Sequence, residues 1–349
     1  MDVRYARQVA LPGWGAGAQS RLAAARVLVI GAGGLGSTVI PALAGAGVGR
    51  ITIVDDDRVE PSNLHRQTIH AGAVGEPKAE SAARVARELG AHAVALRDRL
   101  TSGNALAVFA EHDLVLDGSD NFPTRYLAND AAELTGIPLV WGAVSQYGGQ
   151  AGITWDGVGY RDLFPVPPPP GSVPSCAVGG VMPTTVAVIG SIMAGEALKL
   201  LTGVGQPLLR RVTTYDALTG AFRELPYGRD PEAQPITELV DYDLFCGIAP
   251  LGDEIEPAEV AGREDVLLLD VREPWEAELV SLPGSMLMPL GSLDPHLLDA
   301  TRPVVVYCHH GIRSRQARDV LRAAGVDATS LRGGIDAWAA ELDPGMTRY

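Results

Sequence analysis

Residues 26–30 read RVLVI, a short run rich in β-branched side chains, and GAGGLG follows with no residue between. An Ala-rich stretch of helical character comes next. A strand that turns straight into a helix through glycines constrains the fold more than any other feature of the chain. Gly31, Gly33 and Gly36 match the G-x-G-x-x-G spacing. Glycines there allow the tight turn and let backbone N–H groups approach a phosphate at the helix N-terminus. ITIVDDD (51–57) is the next strand, and Asp55 at its end, about twenty residues on, suits a ribose hydroxyl. Alone, this pattern fits a dinucleotide dehydrogenase as well as any other nucleotide enzyme.

The alternation continues. Helical pattern returns around 76–89, and DLVLDGSDN (113–121) and IPLVWGAV (137–144) read as further strands. Strands alternating with helices predict an α/β fold with a Rossmann-like doubly wound, mostly parallel sheet. RRVTTYDALTGAFREL (210–225) has the pattern of a hairpin around Leu218–Gly220. FPVPPPPGSVPSCAVGG (164–180) is too rich in proline for a helix or a central strand and reads as a long loop. A chain of 349 residues fits two domains. The expected division is 1–235, a linker over 236–255, and a smaller α/β domain over 256–349. That second domain has strands VLLLDVRE (266–273) and VVVYC (304–308) and an amphipathic helix over 314–325.

A net charge of −14 argues against a nucleic-acid partner, because phosphate backbones favour basic faces. The opening MDVRYARQVALPGWG has no apolar signal core and no small-residue cleavage pattern, so export is not expected. Cys176, Cys246 and Cys308 form no close pairs, which fits a reducing cytoplasm. VAVIGSIMAGEALKLL (186–201) contains Glu196 and Lys199 and reads as a buried helix too short to span a membrane.

Polar chemistry downstream of the glycines separates the nucleotide readings. Asn63, Arg66 and Gln67 share one short loop, Lys78 opens a helix, and Asp120 and Asn121 follow a strand end. A triphosphate needs cations and a carboxylate for Mg²⁺, whereas a hydride-transfer cofactor needs neither. Together these residues favour ATP chemistry, although each alone also fits a surface charge or a helix cap.

CHHGIRS (308–314) lies between a strand and a helix. Backbone N–H groups there converge on the Cys308 sulfur, and Arg313 adds a cation. Cysteine phosphatases and sulfurtransferases both use such a cradle. Four residues separate Cys308 from Arg313, a ring that suits one extra sulfur atom, a persulfide, better than a phosphate. Cys246, in DLFCGI, sits among apolar residues and reads as packing or linker.

RYARQ (4–8), GAGGLG, VDDDRVEPSNLHRQ (54–67), GEPK and DGSDN, in that order, resemble the ThiF/MoeB family of ubiquitin-activating-enzyme-like adenylyltransferases over most of 1–235. DVREPWEAELVSLPGS (270–285), the Cys308 loop and GGIDAWAAEL (333–342) resemble a rhodanese domain over about 256–345. The resemblance implies an adenylyltransferase that activates the C-terminal glycine of a ubiquitin-fold sulfur-carrier protein ending in Gly-Gly. Sulfur from a Cys308 persulfide then gives a carrier thiocarboxylate. It implies ATP and Mg²⁺ held by Gly31, Gly33, Gly34, Asp55, Ser62, Asn63, Leu64, His65, Arg66, Lys78, Asp120 and Asn121, with the metal at Asp120. Arg7 would reach the phosphates of a neighbouring subunit, implying a homodimer. The sulfur donor would be thiosulfate or a cysteine desulfurase. Molybdopterin, thiamin, cysteine, thiolated tRNA or a specialised metabolite are the open destinations.

Two departures from the family stand out. Where relatives carry two Cys-x-x-Cys pairs for zinc, this chain has GYRD (159–162) and AQPI (233–236), so no structural zinc is expected. Cys176 matches a cysteine that some relatives use covalently, and it reads as either that catalytic thiol or an inert one. Asp270 and Arg272 read as an ion pair holding the loop. His309 and His310 replace smaller or basic residues and either tune the sulfur or are solvated. The competing classes are a nicotinamide oxidoreductase with a regulatory rhodanese module and a non-catalytic docking or redox scaffold.

Overall fold

The structure is a computed structural model describing residues 2–169, 172–173, 179–246, 254–263, 265–298 and 302–349. They form two compact units, one reaching Cys246 and the other ending at Tyr349. Cys176 lies outside the described residues.

RVLVI becomes β1 (Arg26–Ile30), whose last four residues are all buried. An unbroken apolar run is what a strand covered on both faces requires. β2 (Arg50–Val54), β3 (His92–Leu96), β4 (Leu114–Asp117) and β5 (Leu139–Ser145) join it in parallel. β6 (Gly148–Thr154) and the hairpin β7 (Arg211–Asp216) and β8 (Ala221–Pro226) extend the sheet antiparallel. The strand order β3-β2-β1-β4-β5-β6-β7-β8 reverses between β1 and β4. Ligands bind at such a switch point, outside the carboxyl ends of the strands. β3 and β6 carry too much Ala and Gly to read as strands from sequence, and pairing with their neighbours makes them so.

The helices around this sheet include α1 (Gly34–Ala46), α2 (Lys78–Glu88), α3 (Phe122–Thr135) and α4 (Pro183–Thr202). At 20 residues α4 is longer than expected, and by length and composition alone it could cross a membrane. Packing explains its apolar face: Val186, Ile189, Met193 and Ala197 join the core beneath α1. A Cβ on Gly190 would meet Thr38 at 2.7 Å, so the two helices approach closely. The buried Glu196 accepts the Leu208 N–H at 2.7 Å and pairs with Lys199.

The stretch expected to be a linker is shorter than 236–255. Tyr242 and Cys246 are buried in the first unit's core, and Tyr242 donates to Asp130 at 2.6 Å. Glu254–Ile255 forms β9 at one edge of the second sheet. That sheet adds β10 (Leu267–Asp270), β11 (Met286–Leu287), β12 (Val304–Tyr307) and β13 (Ala328–Leu331), all parallel, in the order β11-β10-β12-β13-β9. α5 (Pro274–Leu279), α6 (Ile312–Ala323) and α7 (Gly334–Glu341) complete the unit. α6 begins two residues before the expected 314, which puts Arg313 in its first turn.

Candidate functional site

The loops after β1 and β4 meet at the switch point. Gly31 has φ +87°, and a Cβ there would sit 3.1 Å from the Gly118 carbonyl. A Cβ on Gly36 would lie 2.3 Å from the Gly31 oxygen, so helix and turn close only without a side chain. A Cβ on Gly34 would meet Val186 at 2.8 Å. Gly33 caps α1, whose first N–H groups have no acceptor within the helix. Asp55 Oδ2 accepts the Ala32 N–H at 2.7 Å and Oδ1 the Asp57 N–H at 2.9 Å, so it braces the turn. Burial outweighs Lys78 and pushes its carboxyl up to about 6.

Lys78 is the first residue of α2, and its Nζ lies 2.8 Å from Asp57 Oδ2. Burial works against its charge, but Asp57, Asp55 and Asp120 more than offset this and raise its pKa. Asp120 is exposed just past β4. Asn121, expected at the nucleotide, also caps α3: its side chain accepts the Thr124 N–H at 2.9 Å. In the 62–67 loop, Arg66 lies near Gly34 and has no carboxylate partner among the described residues. Asn63 Oδ1 is buried without a hydrogen-bond partner. Ser62 is exposed, its carbonyl meets His65 Nδ1 at 2.9 Å, and Leu64 is half-buried. A glycine turn at a helix N-terminus, a buried lysine, an arginine with no carboxylate partner among the described residues, an orphaned amide oxygen and an exposed carboxylate fit a magnesium nucleotide. Arg7 is exposed on the short helix Ala6–Val9.

Cys308 follows β12 directly and is only 1% exposed. The Gly311 N–H points to Sγ at 3.2 Å, and the Ser314 hydroxyl lies 3.6 Å away. This is one backbone donor where the sequence suggested several. The remaining first-turn N–H groups of α6 lack intrahelical acceptors and can receive a second sulfur. Gly311 has φ +91°, and a Cβ on Gly334 would collide with the Cys308 and His309 carbonyls at 2.4 Å. Arg313 does not serve the sulfur alone, because Glu276 holds it with two hydrogen bonds of 2.6 and 2.7 Å. Asp270 and Arg272 form the buried pair expected of them, at 2.9 and 2.5 Å.

His309 is not solvated. It is buried, its ring stacks on His310 at 3.8 Å and on Tyr349 at 4.2 Å, and burial followed by His310 pushes its pKa down to about 4. Ligand atoms of His309, His310 and Asp336 lie within 4.8 Å of one another. Stacked rings point their lone pairs along parallel planes, and Asp336 is taken by Arg348 at 2.7 and 3.0 Å. This arrangement is a ring stack and not a metal shell.

The chain matches the ThiF family over residues 5–235 and the rhodanese-like domain over 257–341. It is 45% identical to the probable adenylyltransferase/sulfurtransferase MoeZ of Mycobacterium tuberculosis, over 99% of this chain and 95% of that one. The chain belongs to the ThiF family. It is also 50% identical to a sulfur carrier protein adenylyltransferase of Thermus thermophilus, over 70% of this chain and 96% of that one. Among solved structures, Escherichia coli MccB with MccA-N7isoASN superposes with a TM-score of 0.59 at 20% identity. That match covers 71% of this chain and 75% of the other and shows the fold alone.

Sequence reasoning passed over His70 in this ThiF site. It is fully buried, its Nε2 lies 2.7 Å from the Ala32 carbonyl, and Nδ1 lies 3.0 Å from Ser81 Oγ. A carbonyl only accepts, so Nε2 carries the proton and Nδ1 accepts from Ser81. His70 thus ties the glycine turn to α2, the helix of Lys78. A lone histidine in TIH gives no sign of this. Gln67 is buried beside Gly33, with Oε1 unpartnered.

Asp162 of GYRD bonds within its own segment and to Asp230, outside AQPI. It accepts the Gly159 N–H at 2.8 Å and the Asp230 N–H at 3.0 Å, and Arg229 reaches Glu133 at 3.2 Å. Cys246 packs against Tyr126 and Phe245, and burial pushes its thiol up to about 11.

Proposed function

We propose that the first unit adenylates the C-terminal glycine of a ubiquitin-fold sulfur-carrier protein and that Cys308 then delivers sulfur to it. The carrying observation is the pairing of two loops in one chain: the Gly31–Gly36 turn at a sheet switch point, and the Cys308 loop opening α6. A carboxylate is a poor electrophile. Its oxygen attacks the α-phosphorus of ATP, pyrophosphate leaves, and the acyl-adenylate that forms has AMP as a good leaving group.

Lys78 and Arg66 offset the charge that builds on the phosphoryl oxygens. Asp120 would hold Mg²⁺, which would supply neutralising charge to the triphosphate. The terminal sulfur of a Cys308 persulfide, loaded from thiosulfate or a cysteine desulfurase, attacks the activated carbonyl and expels AMP. A thiol then attacks Cys308 Sγ, which releases the thiocarboxylate and leaves a disulfide. Cys176 is the in-chain candidate for that thiol. In this reading the enzyme is a cytoplasmic homodimer in which the partner's Arg7 reaches the phosphates, it needs no structural zinc, and molybdenum cofactor synthesis is one destination for the sulfur.

The test is Cys308→Ala. Carrier-dependent ATP–pyrophosphate exchange should persist while thiocarboxylate formation disappears. Loss of exchange in this variant would break the proposed division of labour.

A further inference from the structure

Cys308 must meet a carrier's tail, yet its sulfur is almost wholly enclosed. Residues 343–349, which follow α7 and run without helix or strand, lie against the residue next to it, His309. Most of this segment is exposed. Only Met346 and Tyr349 are half-buried, and Met346 packs against the apolar cluster of Val260 and Ile335.

Three contacts bring Tyr349 onto the sulfur loop. Its ring stacks on His309, the residue after Cys308. Its hydroxyl accepts from Arg272 Nη1 at 2.7 Å and donates to Glu276 Oε1 at 3.1 Å. One phenol thereby joins the Asp270–Arg272 pair to the Glu276–Arg313 pair. Arg348, one residue earlier, is pinned to Asp336.

We infer that Tyr349 is the residue that sets access to Cys308, with residues 343–349 acting as a strap that must swing away before a macromolecular tail reaches the sulfur. A segment with few buried contacts and little backbone hydrogen bonding opens locally at small cost, while the sheet beneath it stays folded. Its polar anchors lie on the adjacent Arg348 and Tyr349, and Met346 adds the apolar one. The stack also accounts for His309 and His310: they form the platform on which the strap closes.

The inference rests on the reading of Cys308 as the sulfur-bearing residue, but its test does not. Alkylation of Cys308 in the full-length protein is followed by mass spectrometry of its peptide, with iodoacetamide and with a bulky fluorescein maleimide. Reactivity tracks the open population, so Tyr349→Ala should raise the maleimide rate about tenfold and the iodoacetamide rate less. Tyr349→Phe keeps the stack and loses the hydrogen bonds, and should fall between. Arg348→Gln loosens the strap without touching the ring and should also accelerate the maleimide, with an unchanged thermal transition as the check on folding. Equal rates in wild type, Tyr349→Ala and Arg348→Gln would overturn the inference. If the strap opens as described but no persulfide forms on Cys308, the proposed function fails and the access role stands.

Discussion

Arg313 is turned onto Glu276, through two hydrogen bonds of 2.6 and 2.7 Å, and its charge is therefore shared before any substrate arrives. Burial favours the neutral acid, but Arg313 and the Glu273 N–H outweigh it and hold the Glu276 carboxyl below its ordinary 4.5. A depressed carboxylate contributes stability that is present above 4.5 and lost as pH falls through its folded value. Glu276→Ala should cost the second unit about 3 kcal/mol, since it leaves a buried cation unpaired. Urea melts of the second unit measure this, and pyrophosphate exchange in the first unit should be unaffected.

Lys78→Ala and Asp120→Ala should each lower pyrophosphate exchange on the order of a hundredfold or more. Persulfide formation on Cys308 should continue in both. A mutant that exchanges normally would remove that residue from the triphosphate site.

His70→Leu deletes the N–H that holds the Ala32 carbonyl, so the glycine turn relaxes and KM for ATP should rise roughly tenfold. His70→Gln keeps an N–H near the same place and should recover most of the loss. Equal defects in Gln and Leu variants with equal thermal stability would argue against this role.

His70 and His112 are both buried, and burial lowers both pKa values from 6.5. The unfolded chain therefore binds protons first, and stability is lost as pH falls through 6.5 toward the lower folded values of both histidines. Asp55, pushed up to about 6, works in the opposite direction below that value. Replacing His112, bonded to Thr52 at 2.8 Å, should remove its share of the slope in urea midpoints taken from pH 7 to 6.

GYRD (159–162) and AQPI (233–236) offer no cysteine to a zinc ion. Purified protein should carry no tightly bound zinc by elemental analysis, and a chelator should not move its melting temperature. One zinc per chain would overturn the expectation.

The order of the motifs and of the apolar strands that carry them was legible from the sequence, because β-branched runs, glycine turns and loop residues act over a few positions; β3 and β6 were not. GAGGLG, SNLHRQ, GEPK, DGSDN and CHHGIRS announced a nucleotide half and a sulfur half. What the local pattern could not reveal was which polar atoms meet across the fold. It did not show that Asn121 spends its side chain on a helix cap, that His70 grips Ala32, or that Arg313 belongs first to Glu276. Nor could it give Tyr349 a role, because residue 349 reaches His309 only after β12, β13 and α7 are in place. Motif chemistry is written in neighbours along the chain. Pairing, burial and access depend on partners far apart in sequence, which only the tertiary structure brings together.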